Sequence, residues 1–251
     1  MSRKERHREI INLVNDNNGC SVDELVAKFD VSDATIRRDL RELAEQNLIE
    51  RTHGGAIPIV DRGKPYDNRK TYNQDRKEAI GRRAVDEIFA DQIVLFDSGS
   101  TAHEVSKQVP EELEFTAITP MPVIAHELGM KGHSPDLTGG AYKQGTHSCV
   151  GPWAEKYVNQ MNLDLLFLCT DGIDEEGLSI RNIEQSYLKE RMVDRAERTV
   201  LIADHSKFGA SHAYNFADYT DLDVFVTDDS IPASIRAELE AAAVELITHT
   251  Y

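Results

Sequence analysis

Positive charge is scarce in this chain. Its 28 Lys and Arg stand against 44 Asp and Glu, a formal net charge of −16 over 251 residues. A broadly basic surface that would hold nucleic acid or anionic lipid nonspecifically is excluded, so any such contact must be local. Cysteine is scarce too: Cys20, Cys149 and Cys169 are odd in number and far apart. That excludes a disulfide framework and a metal knuckle, and it suits reduced, mostly buried thiols in a cytoplasm. No apolar run is long enough to span a bilayer, and no apolar h-region follows the charged N-terminus, so a cytoplasmic chain without membrane association is expected. The histidines, His53, His103, His126, His133, His147, His205 and His212 among them, show no metal-ligand spacing, and neither metal nor cofactor is expected. The single Trp153 is expected in a core.

What is present is first a local signal. Ser32 is placed to cap a helix whose Ile36, Leu40 and Leu43 form one apolar stripe. Ala34, Arg38 and Arg41 lie opposite, flanked by Thr35 and Arg37. Small residues let a backbone approach a major groove, and arginines read guanine edges or hold phosphates. Upstream, residues 3–17 carry Ile10, Ile11, Leu13 and Val14 at helical spacing, ended by Gly19. Ser21 caps a second helix over 22–29, and Asp30-Val31 turns into the third. Leu48 to Thr52 reads as a strand and Gly54-Gly55 as a tight turn, which makes a basic wing with Arg51 and His53 near phosphates. An arginine-bearing amphipathic helix alone is more often a solvated surface helix. The complete order of three helices and a hairpin reverses that.

A second signal follows. Residues 58–75 are polar, with two prolines and a glycine, and read as a linker. Beyond them short apolar runs (Ile93 to Phe96, Phe115 to Thr119, Leu165 to Leu168, Thr199 to Ala203, Asp223 to Thr227, Glu245 to Thr248) alternate with helical patterns. Such alternation predicts an α/β domain with a Rossmann-like parallel sheet. The division expected is 1–57 for a winged helix-turn-helix, 58–75 for the linker and 76–251 for the α/β domain. Ligands in such sheets sit beyond the carboxyl ends of strands. Four such loops are suggestive: Asp97-Ser98-Gly99-Ser100-Thr101, Thr138-Gly139-Gly140, Thr170-Asp171-Gly172-Ile173-Asp174, and Asp204 to Gly209 with Lys207. Glycine permits close backbone approach, hydroxyls donate, a helix N-terminus favours an anion, and Lys207 supplies positive charge. Each loop alone suits a cap or turn; together they predict a phosphate or phosphosugar site with no metal.

The motif Val31-Ser32 to Leu40, followed by Arg51-Thr52-His53-Gly54-Gly55-Ala56, resembles the N-terminal domain of the DeoR family of transcriptional regulators. The resemblance extends through most of the chain. It implies a C-terminal sensor resembling ribose-5-phosphate isomerase, with Asp97 to Thr101 as phosphate loop, Asp171 to Asp174 as paired aspartates and Ser206 to Gly209 as lysine motif. It implies a sequence-specific repressor of sugar or polyol catabolism genes of the fructose, glucose or glycerol type. The partners implied are operator DNA and a phosphorylated sugar or polyol that releases it. Where the family usually has Thr-Asn, this chain has Thr119-Pro120-Met121-Pro122, so effector contacts are not carried to that loop. A homo-oligomer, dimer or tetramer, is expected because one recognition helix reads too few bases.

The alternative is a sugar-phosphate isomerase-like enzyme with an appended helical domain, using Asp171, Asp174 and Glu190 as acid/base groups. The isomerase relatives carry a glycine-rich loop before their catalytic glutamate, whereas Ser179 to Glu184 has no glycine. An enzyme is therefore not expected. The acidic balance fits a halophilic archaeal source: Arg (17) outnumbers Lys (11), and residues 1–57 hold nine Lys/Arg against eleven Asp/Glu. In molar salt the Debye length is about 3 Å, so a global negative field barely repels DNA and local arginines decide. The same salt weakens counterion release as a driving force.

Overall fold

The computed structural model describes residues 1–17, 19–46, 48–57 and 65–249, and the chain divides into two compact units, Met1–Gln74 and Asp75–Tyr251. In the first unit α1 (Arg3–Asp16), α2 (Val22–Phe29) and α3 (Asp33–Glu45) enclose a core of Ile10, Val14, Leu25, Ile36, Leu40 and Leu43. The local signals explain the boundaries. Ser21 and Glu24 form a reciprocal capping box on α2, and Asp30 ends that helix in the left-handed region at φ 50°. The Ser32 hydroxyl accepts from the Thr35 N–H at 3.2 Å and opens α3.

The hairpin is β2 (Glu50–Arg51) and β3 (Gly55–Ile57), and a third short strand not anticipated from sequence, β1 (Cys20–Ser21), pairs with β3. Gly55 is required there: a Cβ on it would lie 2.1 Å from the Cys20 carbonyl oxygen. Residues 58–64 of the expected linker lie outside the described residues. Its remainder is not plain linker. Pro65 precedes a short helix, α4 (Tyr66–Arg69), and Tyr66 is buried.

One buried charge cluster joins α1 to α3. Asp39, on the inner side of α3, accepts from Arg6 Nε at 2.7 Å and lies 2.9 Å from His7 Nε2. Burial pushes the Asp39 carboxyl up, but the hydrogen bonds from Arg6 and His7 outweigh it and hold the group below the usual carboxylate range.

In the second unit a seven-stranded sheet, parallel throughout, runs in the order β15-β14-β12-β9-β4-β5-β6. Its strands are β4 (Ile93–Phe96), β5 (Thr116–Thr119), β6 (Asp136–Leu137), β9 (Leu165–Leu168), β12 (Thr199–Ile202), β14 (Val224–Asp228) and β15 (Glu245–His249). The α/β expectation is met, with β4, β5, β9, β12 and β14 largely buried and the edge strands β6 and β15 more exposed. The connecting helices are α5 (Gln74–Ala84), α6 (Ser100–Gln108), α7 (Pro122–Met130), α8 (Pro152–Asn159), α9 (Ile183–Arg195) and α10 (Ala233–Ala241). α10 buries Ile235 and Leu239 in the core, as an ordinary covering helix does.

Two antiparallel additions escaped the sequence reading. One is a hairpin of β7 (Ala141–Lys143) and β8 (Ser148–Val150). The other is a small sheet of β10 (Gly172–Asp174), β11 (Gly177–Ile180) and β13 (Tyr214–Ala217). Residues 172–174, expected in a loop, are therefore strand.

Asp39 ties two helices together, so Asp39→Asn should lower the stability of the first unit by about 3 kcal/mol, the low end of what breaking a buried ion pair from one side costs, because Arg6 and His7 keep some access to water. The lowered Asp39 pKa contributes stability that is present above the usual carboxylate value and is lost as pH falls through the folded value. Denaturant titrations at pH 7 and pH 3 check both: the difference between wild type and variant should shrink at pH 3.

Candidate nucleic-acid interface and anion site

Ser32, Ala34, Arg37, Arg38 and Arg41 are all exposed along α3, with Thr35 half-buried among them. The Thr35 hydroxyl lies 2.8 Å from the Ser32 hydroxyl, and Arg37 Nε donates to Asp33 at 2.7 Å one turn back. Arg38 and Arg41 project from a helix whose opposite side is core. Arg51 and His53 are exposed on the wing. All eight expected DNA-contacting residues thus belong to one winged unit, and none is consumed by its core.

The second site is set by sheet topology. β4 and β9 are neighbours, yet the chain continues from β4 toward β5 on one side and from β9 toward β12 on the other. A crevice opens at such a reversal, outside the carboxyl ends of the two strands. The Asp97–Thr101 loop leaves β4 there and the Cys169–Asp171 segment leaves β9.

Asp97 is not directed at a ligand. It is enclosed, accepts from the Ser98 N–H at 2.6 Å and the Cys169 N–H at 2.9 Å, and is in direct contact with the Lys189 ammonium. Lys189 also donates to the Cys169 carbonyl at 2.9 Å. Gly99 is needed for room: a Cβ there would sit 2.4 Å from Cys169 Sγ. It precedes α6, and no side chain caps that helix. The first-turn N–H groups of Ser100 and Thr101 are thereby left for an anion.

The remaining loops divide. Lys207 belongs to a 3-10 turn, His205 to Lys207, beyond β12, the strand beside β9. Its loop lies along β10: the Gly209 N–H donates to the Ile173 carbonyl at 2.9 Å, and His212 Nε2 is 3.2 Å from the Asp171 carbonyl oxygen. Gly172 is buried between these segments. Asp97 to Thr101, Asp171, Gly172 and Lys207 therefore come from three adjacent strands.

Two expectations fall elsewhere. Gly139 and Gly140 follow β6, two strands away from β4, and border a groove of about 540 Å³ with Trp153, Lys156 and Tyr157. Asp174 borders a different groove of about 410 Å³, with Glu175, Glu176 and Ser211. Trp153 is not in a core; it is 71% exposed, with Lys156 Nζ 5.7 Å from its ring centroid. The Thr119-Pro120 departure is closed over: the Cys149 N–H donates to the Pro120 carbonyl at 2.7 Å.

Several residues of this region went unnoticed in the sequence. Lys189 shares the buried stripe of α9 with Gln185, Leu188 and Met192, and Lys77 shares that of α5 with Ile80 and Ala84. A lysine at a core position of an amphipathic helix is the signal that could have found both. Lys77 Nζ is 3.9 Å from Asp204 Oδ2, and Arg76 Nη1 is 3.3 Å from Asp228 Oδ2. Burial pushes the Asp228 carboxyl up, but hydrogen bonds from the His205 ring and backbone outweigh it and hold the group low. Cys20, Cys149 and Cys169 are free and buried. Among the described residues no His, Cys, Asp and Glu cluster could hold a metal, and no helix is long and apolar enough to cross a membrane.

A winged helix-turn-helix unit, followed in the same chain by a parallel α/β unit with an uncapped helix N-terminus at a sheet reversal, is the domain pairing of a ligand-responsive transcriptional regulator. Residues 6–61 match the DeoR-like helix-turn-helix domain and residues 72–229 the DeoR C terminal sensor domain. The chain belongs to the DeoR family of transcriptional regulators. It is 42% identical to the HTH-type transcriptional regulator GlpR of Haloferax volcanii over 97% of this chain and 96% of that one. It is 31% identical to the glycerol-3-phosphate regulon repressor of Escherichia coli K12, over 98% and 99%. Ribose 5-phosphate isomerase A of Methanocaldococcus jannaschii gives a weak structural likeness, TM-score 0.40 at 16% identity over 54% of this chain and 55% of that one.

Lys189→Met should destabilise the second unit by about 3–5 kcal/mol, because it strands the Asp97 carboxylate in the interior. Adding Asp97→Asn should recover part of that loss. Urea midpoints of the two single variants and the double variant measure the coupling.

Proposed function

We propose that the chain is a sequence-specific repressor of sugar or polyol catabolism genes, released from its operator by a phosphorylated sugar or polyol. The observation that carries this reading is the pairing, in one chain, of an arginine-bearing recognition helix with an uncapped helix N-terminus at a sheet reversal. Ser32, Ala34, Thr35, Arg37, Arg38 and Arg41 meet the major groove, and Arg51 and His53 meet phosphates beside it. Ser98 to Thr101 take the phosphate, and Lys207 adds the positive charge that a dianion needs. Asp171 and Gly172 flank the rest of the ligand. Asp97 supports the loop from beneath, while Gly139, Gly140 and Asp174, which border other grooves, are left out of the effector contacts. The likeness to the glycerol-3-phosphate regulon repressor of Escherichia coli makes glycerol 3-phosphate and related compounds the first probes.

Release needs only a ligand with higher affinity for the state that binds DNA poorly. A homo-oligomer presents two recognition helices to a two-part operator. Molar salt is the working medium, and there the acidic surface barely opposes the DNA. The isomerase alternative loses support from the site itself: Asp174 borders another groove, and Glu190 accepts from its neighbour Ser186 at 3.2 Å.

The test is operator binding by the purified chain in molar KCl, with release by glycerol 3-phosphate, fructose 1-phosphate and hexose 6-phosphates. Arg38→Ala should weaken specific binding by about 1–3 kcal/mol if the side chain reads a base. Lys207→Ala should leave operator affinity intact and raise the effector concentration needed for release. Binding that no phosphorylated compound relieves would overturn the reading.

A further inference from the structure

Resting on the reading just given, we infer that Arg181 and Asp171 form a pair that reads a hydroxyl group of the effector, separately from the groups that hold its phosphate. Arg181 is the first residue beyond β11, in the stretch where the expected isomerase glycines are missing. Its identity puts a long cationic side chain at this strand end.

The backbone under the pair is fixed. The Asp171 N–H donates to the Ser179 carbonyl at 3.2 Å, and the Thr170 hydroxyl is 2.9 Å from the carbonyl oxygens of Gly172 and Ser179. On the other side of Arg181, the Asn182 side chain accepts from the Glu184 and Gln185 N–H groups and starts α9. Both side chains therefore stand on a short hairpin held against the start of the helix that carries Lys189.

The two side chains approach without closing. Arg181 Nε lies 3.9 Å from Asp171 Oδ2, beyond hydrogen-bond reach, and Nε is out of solvent with no protein hydrogen-bond partner. A buried charged donor without an acceptor is costly, so the site is completed by something else. A small outward turn of the Arg181 side chain, which is 29% exposed, would let one oxygen bridge the two atoms at about 2.8 Å from each. A ligand hydroxyl suits it on chemical grounds: it accepts from the guanidinium and donates to the carboxylate, as an ether, a ketone or a phosphate oxygen cannot do toward both.

The pair also stands in the right place. Cys169, two residues before Asp171, touches Gly99 of the anion loop and is hydrogen-bonded to Asp97. A phosphate on the first turn of α6 would thus have its carbon chain running toward Asp171 and Arg181. The ligand class this defines is a phosphate ester carrying at least one free hydroxyl on a short carbon chain. Inorganic phosphate satisfies only the first half of the site.

The experiment titrates the full chain, bound to operator DNA, with glycerol 3-phosphate, fructose 1-phosphate, propyl phosphate and inorganic phosphate, following release by fluorescence anisotropy. Isothermal calorimetry without DNA gives the affinities directly. Arg181→Ala should raise the half-release concentration of the hydroxylated ester about 10-fold or more, the usual scale for losing a hydrogen bond to a charged group. It should leave the operator affinity and the weak binding of propyl phosphate and inorganic phosphate unchanged. Asp171→Asn should produce the same selective loss, and Arg181→Lys should restore part of it. Equal loss for every phosphate would show that Arg181 holds the anion, and unchanged titrations would show that it does neither; each overturns the inference while leaving the regulator reading intact. Failure of wild type to respond to any phosphate ester would instead overturn the regulator reading, and the inference with it.

Discussion

A buried carboxylate at the end of β4 has no access to water and must be matched from within. Asp97 is matched by two backbone N–H groups and by the Lys189 ammonium, and each partner belongs to a different part of the fold. The Ser98 N–H shapes the anion loop, the Cys169 N–H ties that loop to the end of β9, and Lys189 anchors α9 beneath both. A charge pair so enclosed adds little net stability over an apolar substitute. What it supplies is position: it sets two strand ends side by side where the sheet reverses, which is where a ligand can be held by backbone.

How much of this was legible follows from how local each signal is. The winged unit was read nearly whole, because caps such as Ser21 and Ser32 and the spacing of Ile36, Leu40 and Leu43 act within one or two turns. The strands of the large sheet were read because a buried parallel strand is a run of apolar residues. Strand order is not local, and the Gly139-Gly140 loop was grouped with the anion loops although β5 separates them. β1, β7 and β10 have only two or three residues, too few for alternation to show, and they lie among glycines and polar residues that also suit turns. Lys77 and Lys189 went unread because nothing local marks a lysine as buried; only their tertiary partners do so. Trp153 was misplaced for the opposite reason, its apolar ring taken as a sign of burial.

The acidic composition and the nucleic-acid interface are less opposed than the net charge suggests. In the winged unit the inward carboxylate Asp39 is matched by Arg6 and His7, while Arg38 and Arg41 face outward. Asp33 is drawn to Arg37 on its own helix. The sum of charges is negative, yet the surface of α3 opposite the core still presents arginine. In concentrated electrolyte only that near field survives.

The narrow end of the sheet constrains how copies of the chain can associate. β6 contributes two residues to the ladder, paired through Ile118 with Asp136 and Thr119 with Leu137. A strand so short offers almost no row of unsatisfied backbone groups for another chain to extend. Edge-to-edge growth into a continuous intermolecular sheet is thus blocked at that margin. Self-association there must proceed through side chains, whose complementarity can limit it to a closed assembly instead of an open fibre.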